Sequence, residues 1–224
     1  MTQICSPVVH ERSGLLRYGR QDALLVGLTL GHAAVLLLWP SLLVVALGFW
    51  WNTNTISHNF IHRPFFRQRW LNATYSVGLS LLLGLPQSVW RDRHLAHHAG
   101  VQPRLRRTML LWAEISCVAA LWGLALWLVP WFMLWVYLPG FLLGLGICAA
   151  HGHYEHLGGG TISHYGWLYN LLFVNDGYHV EHHADPSASW RRLRKPVVER
   201  GSGSPWPAVL RWLPALPLDT LERL

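Results

Sequence analysis

Residues Met109 to Ala150 read MLLWAEISCVAALWGLALWLVPWFMLWVYLPGFLLGLGICAA, and Glu114 is the only charge in the stretch. A helix crosses a bilayer core with about 20 apolar residues, so this stretch supplies two crossings. Val129, Pro130 and Trp131 mark the turn between them, because proline is tolerated at the start of a helix and not in its interior. The chain then returns to the side it left, where His151 emerges.

Toward the N-terminus, Leu24 to Trp39 is apolar apart from Thr29 and His32. Pro40 and Ser41 interrupt it, and Leu42 to Trp51 continues apolar. This reads as a second hairpin of short crossings, about 16 residues or about 24 Å each. Leu71 to Val89 mixes apolar residues with Asn72, Ser76, Gly78, Ser80, Gly84 and Pro86, and reads as a helix lying in or dipping into the membrane interface. Tyr165 to Val174 is expected to be a short aromatic helix, Gly201 to Pro205 a flexible linker, and Trp206 to Leu224 a surface-lying segment. The expected fold class is an all-α membrane protein of one domain, residues 1–224, with four transmembrane helices in two hairpins plus interfacial helices.

Composition agrees with a membrane protein. The chain is 52% hydrophobic and 13% charged, with 14 Trp, too apolar and aromatic for an ordinary soluble domain. Tryptophans 39, 50, 51, 112, 127, 131 and 135 fall near the expected span ends, as an interfacial belt would. The net charge of +7 comes from basic clusters that flank apolar spans, which argues against nucleic acid as a partner and for positive-inside topology. Residues 1 to 22 carry Glu11 and three arginines without an apolar core, so no cleavable signal peptide is expected. Cys5, Cys117 and Cys148 are odd in number and lack Cys-x-x-Cys spacing, so they read as small apolar fillers.

Against this apolar background, the 14 histidines are patterned. His58 and His62 are four apart, His94, His97 and His98 form a His-x-x-His-His triplet, and His179, His182 and His183 repeat it. One such triplet is expected by chance about 0.05 times in a chain of this histidine content, so two copies are a strong signal. Residues three and four apart share a helix face, so each triplet is expected to aim three imidazoles at one place. Two hairpins of even crossing number put all three boxes and His151 on one side of the bilayer, with the arginines. That side is expected to be cytoplasmic, together with residues 1–22 and the tail 184–224, which lies in the cytoplasm or at the interface.

Imidazole suits zinc, copper, iron and nickel, and thiolate ligands are missing from the boxes. One structural zinc closes with four ligands, so eight or nine converging histidines point to two metals. His151, His153 and His156 lie close together, and any of them could add a ligand to the eight box histidines. Glu155, Asp176 and Glu181 are candidates to orient ring nitrogens. Glu114 is either functional or a side chain snorkelling to the interface, and His32 a packing or hydrogen-bonding residue.

The three boxes, in this order and separated by long apolar hairpins, resemble the integral-membrane fatty acid desaturase and hydroxylase superfamily over roughly Leu24 to Pro196. The resemblance implies two non-haem iron ions, O2 as co-substrate, and a separate electron donor of ferredoxin, rubredoxin or cytochrome type. It also implies oxidation of an unactivated C–H bond of a lipid, as fatty acyl desaturation or hydroxylation, with no catalytic residues beyond the metal ligands. In that family a further histidine at the end of the fourth membrane helix completes the iron shell, and His151 occupies the corresponding position. An asparagine often precedes that histidine by four residues, whereas this chain has Ile147 there; Asn175, four before His179, is a different position and a candidate for an indirect role. The other readings are a carotenoid ketolase or hydroxylase and, in a different class, a histidine-rich metal-binding or transport protein. Transport would need polar groups lining the spans at mid-membrane, and these histidines cluster at span ends.

Overall fold

The computed structural model describes residues 14–193, 201–202 and 206–210. Cys5, His10, Arg12, the basic residues at 194–195, most of the expected linker and the tail from 211 onward lie outside the described residues.

The described residues are mostly helical. α1 (Arg20–Leu38) turns at Pro40 into α2 (Leu42–Asn52), where the Ser41 hydroxyl accepts from the Val44 N–H and caps the new helix. α2 runs through a π-helical turn, Thr53–Ser57, directly into α3 (His58–His62). The first histidine pair thus sits at the end of one continuous rod. α4 (Arg69–Leu83) ends at Gly84, whose φ of 67° suits glycine, and α5 (Gln87–His98) starts afresh after Pro86. The interval expected to be one interfacial helix is therefore two, and the second carries the middle box. α6 (Met109–Leu128) is capped by Thr108, and after Val129 comes α7 (Pro130–Phe132). A second π-helical turn, Met133–Tyr137, leads from it into α8 (Leu138–Glu155). Both turns expected at prolines are present. α9 (Trp167–Leu172) and α10 (His179–Ala184) are short, and a two-residue parallel pairing joins β1 (Ser163–His164) to β2 (Gly201–Ser202).

α2 and α8 form the central pair. α8 presents glycines where they meet, against Val45 and Phe49 of α2: a Cβ on Gly140 would lie 2.7 Å from the Leu42 carbonyl oxygen, and one on Gly144 3.0 Å from that of Ala46. This Gly-x-x-x-Gly spacing lets two backbones approach closely. Because Leu42 lies against Gly140, the starts of α2 and α8 share one end of the molecule, and their histidine-bearing ends share the other.

Among the described residues, three helices are long and apolar enough to cross a membrane: Arg20–Leu38, Met109–Leu128 and Pro130–Glu155. They bury only 22%, 17% and 22% of their apolar windows inside the protein, so their outer faces need another apolar medium. Met109, Leu37 and Trp127 are 86%, 82% and 78% exposed. Trp39, Trp112, Trp131 and Trp135 are exposed as a belt requires, but Trp50 is buried against Phe173 and His151, which removes it from the belt.

Polar groups between helices set the registers. Glu114 does not snorkel: it is fully buried, and its carboxylate accepts from the Ser76 hydroxyl of α4 at 2.6 Å and the Ser88 N–H in the first turn of α5 at 2.8 Å. A carboxylate at a helix N-terminus is favourably placed for both the free N–H groups and the helix dipole. Gln87, beside it, exchanges hydrogen bonds with the Ser57 hydroxyl, adjacent to His58. His32 pairs with Asn52 across the first hairpin, as a packing histidine would.

Candidate metal centre

The histidines converge at one end of the bundle, in two groups. In the first, the Nε2 atoms form a chain of close approaches: His58 to His182 at 2.8 Å, His182 to His98 at 3.1 Å, His98 to His94 at 3.1 Å, and His94 to His62 at 2.8 Å. The ligand atoms of these five all lie within 4.8 Å of one another. In the second, His156 Nε2 lies 3.0 Å from His97 and 2.9 Å from His179, and His183 joins His97 and His156 within 4.8 Å.

Each triplet is split between the groups, contrary to its expected convergence on one point. The reason is angular. Pairs four apart share a face, and His58 with His62, His94 with His98, and His179 with His183 each stay together. His97 and His182, each next to one of these in sequence, are turned by about 100° and serve the other group. The stacked rings of His98 and His183, 4.2 Å apart, form the wall between the two.

The donor set fits metal ions. Imidazole nitrogens bonded to an ion at about 2.1 Å sit about 3.0 Å apart at right angles and about 3.4 Å apart in a tetrahedron. The observed 2.8–3.1 Å spacings among the five nitrogens of the first group are those at which a shared ion would hold them. Eight of the nine rings are also biased toward the neutral form. Burial, reinforced by His58, His98 and His183, pushes His62 down to about 2, and burial with neighbouring imidazoles carries His94 and His182 well below the usual range. The same causes lower His98 to about 4, His183 to about 3 and His156 to about 4, and depress His97 and His179. Neutral imidazole is the form that binds metal.

Of the three histidines weighed for the ninth donor, His156 joins a group. His153 is exposed and packs on Tyr154, and His151 is fully buried elsewhere. His151 Nε2 lies 3.2 Å from both Asp176 Oδ2 and Glu155 Oε1. Four residues before His156 stands Gly152, on the cavity wall, so the asparagine position is empty of a donor in that register too. Asp176 Oδ1 pairs with His58 Nδ1 at 3.3 Å, and Glu155 Oε1 lies 3.4 Å from His179 Nδ1, without the alignment of a full hydrogen bond. Burial would raise the Asp176 carboxyl, but hydrogen bonds from His151 and His58 carry it well below the usual carboxylate range. Glu181 instead accepts from the Ser163 and Tyr165 hydroxyls, fastening α10 to β1. Asn175 donates to the Trp190 carbonyl and supports the following loop.

The turn before the last box is strained and specific. Val174 and Asn175 have φ of 57° and 62°, and a Cβ on Gly177 would overlap the His164 carbonyl, which accepts from Asn170 Nδ2 at 2.9 Å. Tyr169, which sequence reading did not single out, donates to Asp176 at 2.9 Å. Its signal was only membership of an aromatic helix ahead of the box. A cavity of about 460 Å3 opens beside the imidazoles, and Asn54, Trp90, Arg93, Cys148 and Gly152 complete its wall.

The fatty acid desaturase family model matches residues 33–104 and 100–198. A sphingolipid delta(4)-desaturase/C4-monooxygenase of Bos taurus is 36% identical over 115 residues, which is 48% of this chain and 33% of that relative. The match thus spans about a third of the length of that curated relative. No solved structure matches the chain.

Proposed function

The chain belongs to the fatty acid desaturase family, and from that premise we propose that it is an oxygen-dependent membrane oxidoreductase that desaturates or hydroxylates a lipid chain at two non-haem irons. The observation that carries this reading is the convergence of nine imidazoles into two adjacent groups beside one cavity. In this reading His58, His62, His94, His98 and His182 hold one iron, and His97, His156, His179 and His183 the other. His151 is assigned neither, because its Nε2 faces two carboxylates.

When bound, the irons supply dioxygen activation and removal of hydrogen from an alkyl C–H bond, which no side chain can perform. The remaining work belongs to the chain. Eight nitrogens with depressed proton affinity stay free for metal near neutral pH. Trp90, Cys148 and Gly152 give the lipid chain an apolar wall against the imidazoles, and Arg93 lies at the cavity to meet a polar headgroup. α1, the α2–α3 rod, α6 and α8 are the four crossings, supported by the shared position of both turns at the end away from the histidines. The histidine end is cytoplasmic in this reading, because Arg63, Arg67, Arg69, Arg91 and Arg93 lie beside the boxes there. Those arginines would also receive a separate, acidic electron donor of ferredoxin, rubredoxin or cytochrome type.

The relative's name makes a sphingolipid the first substrate to test. Expression in a lipid-producing host, with mass spectrometry of total lipids against His182→Ala, tests the reading. A new unsaturated or hydroxylated lipid that the variant lacks supports it. Identical lipid profiles, with metal held loosely and no reductant-dependent oxygen uptake, would favour metal binding or transport instead.

A further inference from the structure

We infer that Asp176, His151 and Glu155 form a buried bridge behind the imidazoles that fixes the two metal-holding groups relative to each other; this rests on the metal-binding reading above. The bridge has one contact to each group. Asp176 Oδ1 meets Nδ1 of His58, a member of the five-imidazole group, and Asp176 Oδ2 meets His151 Nε2 at 3.2 Å. Glu155 Oε1 lies 3.2 Å from the same His151 nitrogen and 3.4 Å from Nδ1 of His179, a member of the other group. In both cases the contact is to the ring nitrogen that points away from the cluster, since Nε2 of His58 and of His179 faces the other imidazoles.

A carboxylate on the distal nitrogen of a ligand histidine fixes the ring's tautomer and plane. Asp176 does this for His58 by a hydrogen bond, whereas Glu155 faces His179 at contact distance without an aligned hydrogen bond and holds that ring the more loosely. The parts are held rigidly. His151 and Glu155 are four apart on the last turn of α8, so they share a face, and the edge of Trp50 packs on the His151 ring at 5.8 Å. Asp176 is presented by the left-handed Val174–Asn175 turn and held from below by the Tyr169 hydroxyl at 2.9 Å. Burying two carboxylates and an imidazole is costly and is a weak source of stability. What the arrangement supplies is orientation.

The test uses the full chain in detergent, loaded anaerobically with iron(II), with bound iron counted and affinity measured by chelator competition. Wild type is expected to hold two irons. His151→Ala should still saturate at two, with both held about 10-fold or more weakly. Asp176→Asn should weaken one iron and Glu155→Gln the other, each leaving its neighbour within about twofold. Tyr169→Phe keeps the ring packed against Phe173 but removes the hydroxyl that meets Asp176 Oδ2 and His151 Nε2, so it should weaken the iron on the Asp176 side most, by less than Asp176→Asn; this near-isosteric variant carries the test if His151→Ala does not fold. Saturation of His151→Ala at one iron would make His151 a ligand and overturn the inference. Loss of a third iron from a wild type that holds three would make the cluster a metal site, and unchanged affinity in His151→Ala and Tyr169→Phe would leave the bridge without effect; either overturns it too. A wild-type chain holding no iron sinks the metal reading itself, before any variant is compared.

Discussion

The five-imidazole and four-imidazole groups use the same residue type and differ in enclosure. In the first, burial and crowding hold His62 down to about 2 and His94 and His182 well below the usual range. The second is mixed: His97 is exposed and His156 falls to about 4, while His179 is buried and carried well below the usual range. The first draws every donor from helical segments of the three boxes, whereas the second needs His156, at the cap where α8 ends. The difference teaches that two pairs spaced by four supply four of the first group's five imidazoles, with α10 bringing His182 to them, whereas the second group also depends on where a helix stops.

The largest expected effect breaks the first group. His182→Ala or His94→Ala should lower oxidised lipid product to background, because each removes a donor nitrogen from the five-imidazole group. Product yield by mass spectrometry checks this. Next, His156→Ala should lose the second iron and nearly all product, while His153→Ala should match wild type in iron count and product. Equal effects of the two would return the ninth donor to an open choice among neighbours. A graded chelator challenge sharpens the contrast further: the iron of the more exposed group should leave first, giving a plateau near one iron per chain, and a single-step loss would show the groups to be equivalent. The smallest effect addresses what the groups share. α5 feeds both, and Glu114→Ala would leave the Ser88 N–H and Ser76 hydroxyl unpaired in the interior, costing about 2 kcal/mol. Thermal unfolding in detergent should show that loss, with both irons weakened alike.

Much of this was legible in the sequence. Apolar length and the prolines placed both helical hairpins, and spacing of four picked out the histidine pairs that stay together. Three features were not. Aiming a whole triplet at one point ignored the turn of about 100° between adjacent residues, which sends His97 and His182 across to the opposite group. Which of His151, His153 and His156 reaches the other imidazoles depended on the α8 terminus, and helix ends are set by contacts, here the Ile162 N–H bonding back to the Glu155 carbonyl. The buried role of Glu114 required knowing that α4 and the start of α5 pack on α6, a pairing of residues 26 and 38 apart that no local pattern records.

Iron content of four purified chains tests the account most directly: wild type, His182→Ala, His156→Ala, and the two substitutions combined. Two separate groups require counts near two, one, one and none, with the single variants retaining spectroscopically different irons. Counts of two in both single variants, or the same iron surviving in each, would contradict the division of the nine imidazoles into two centres.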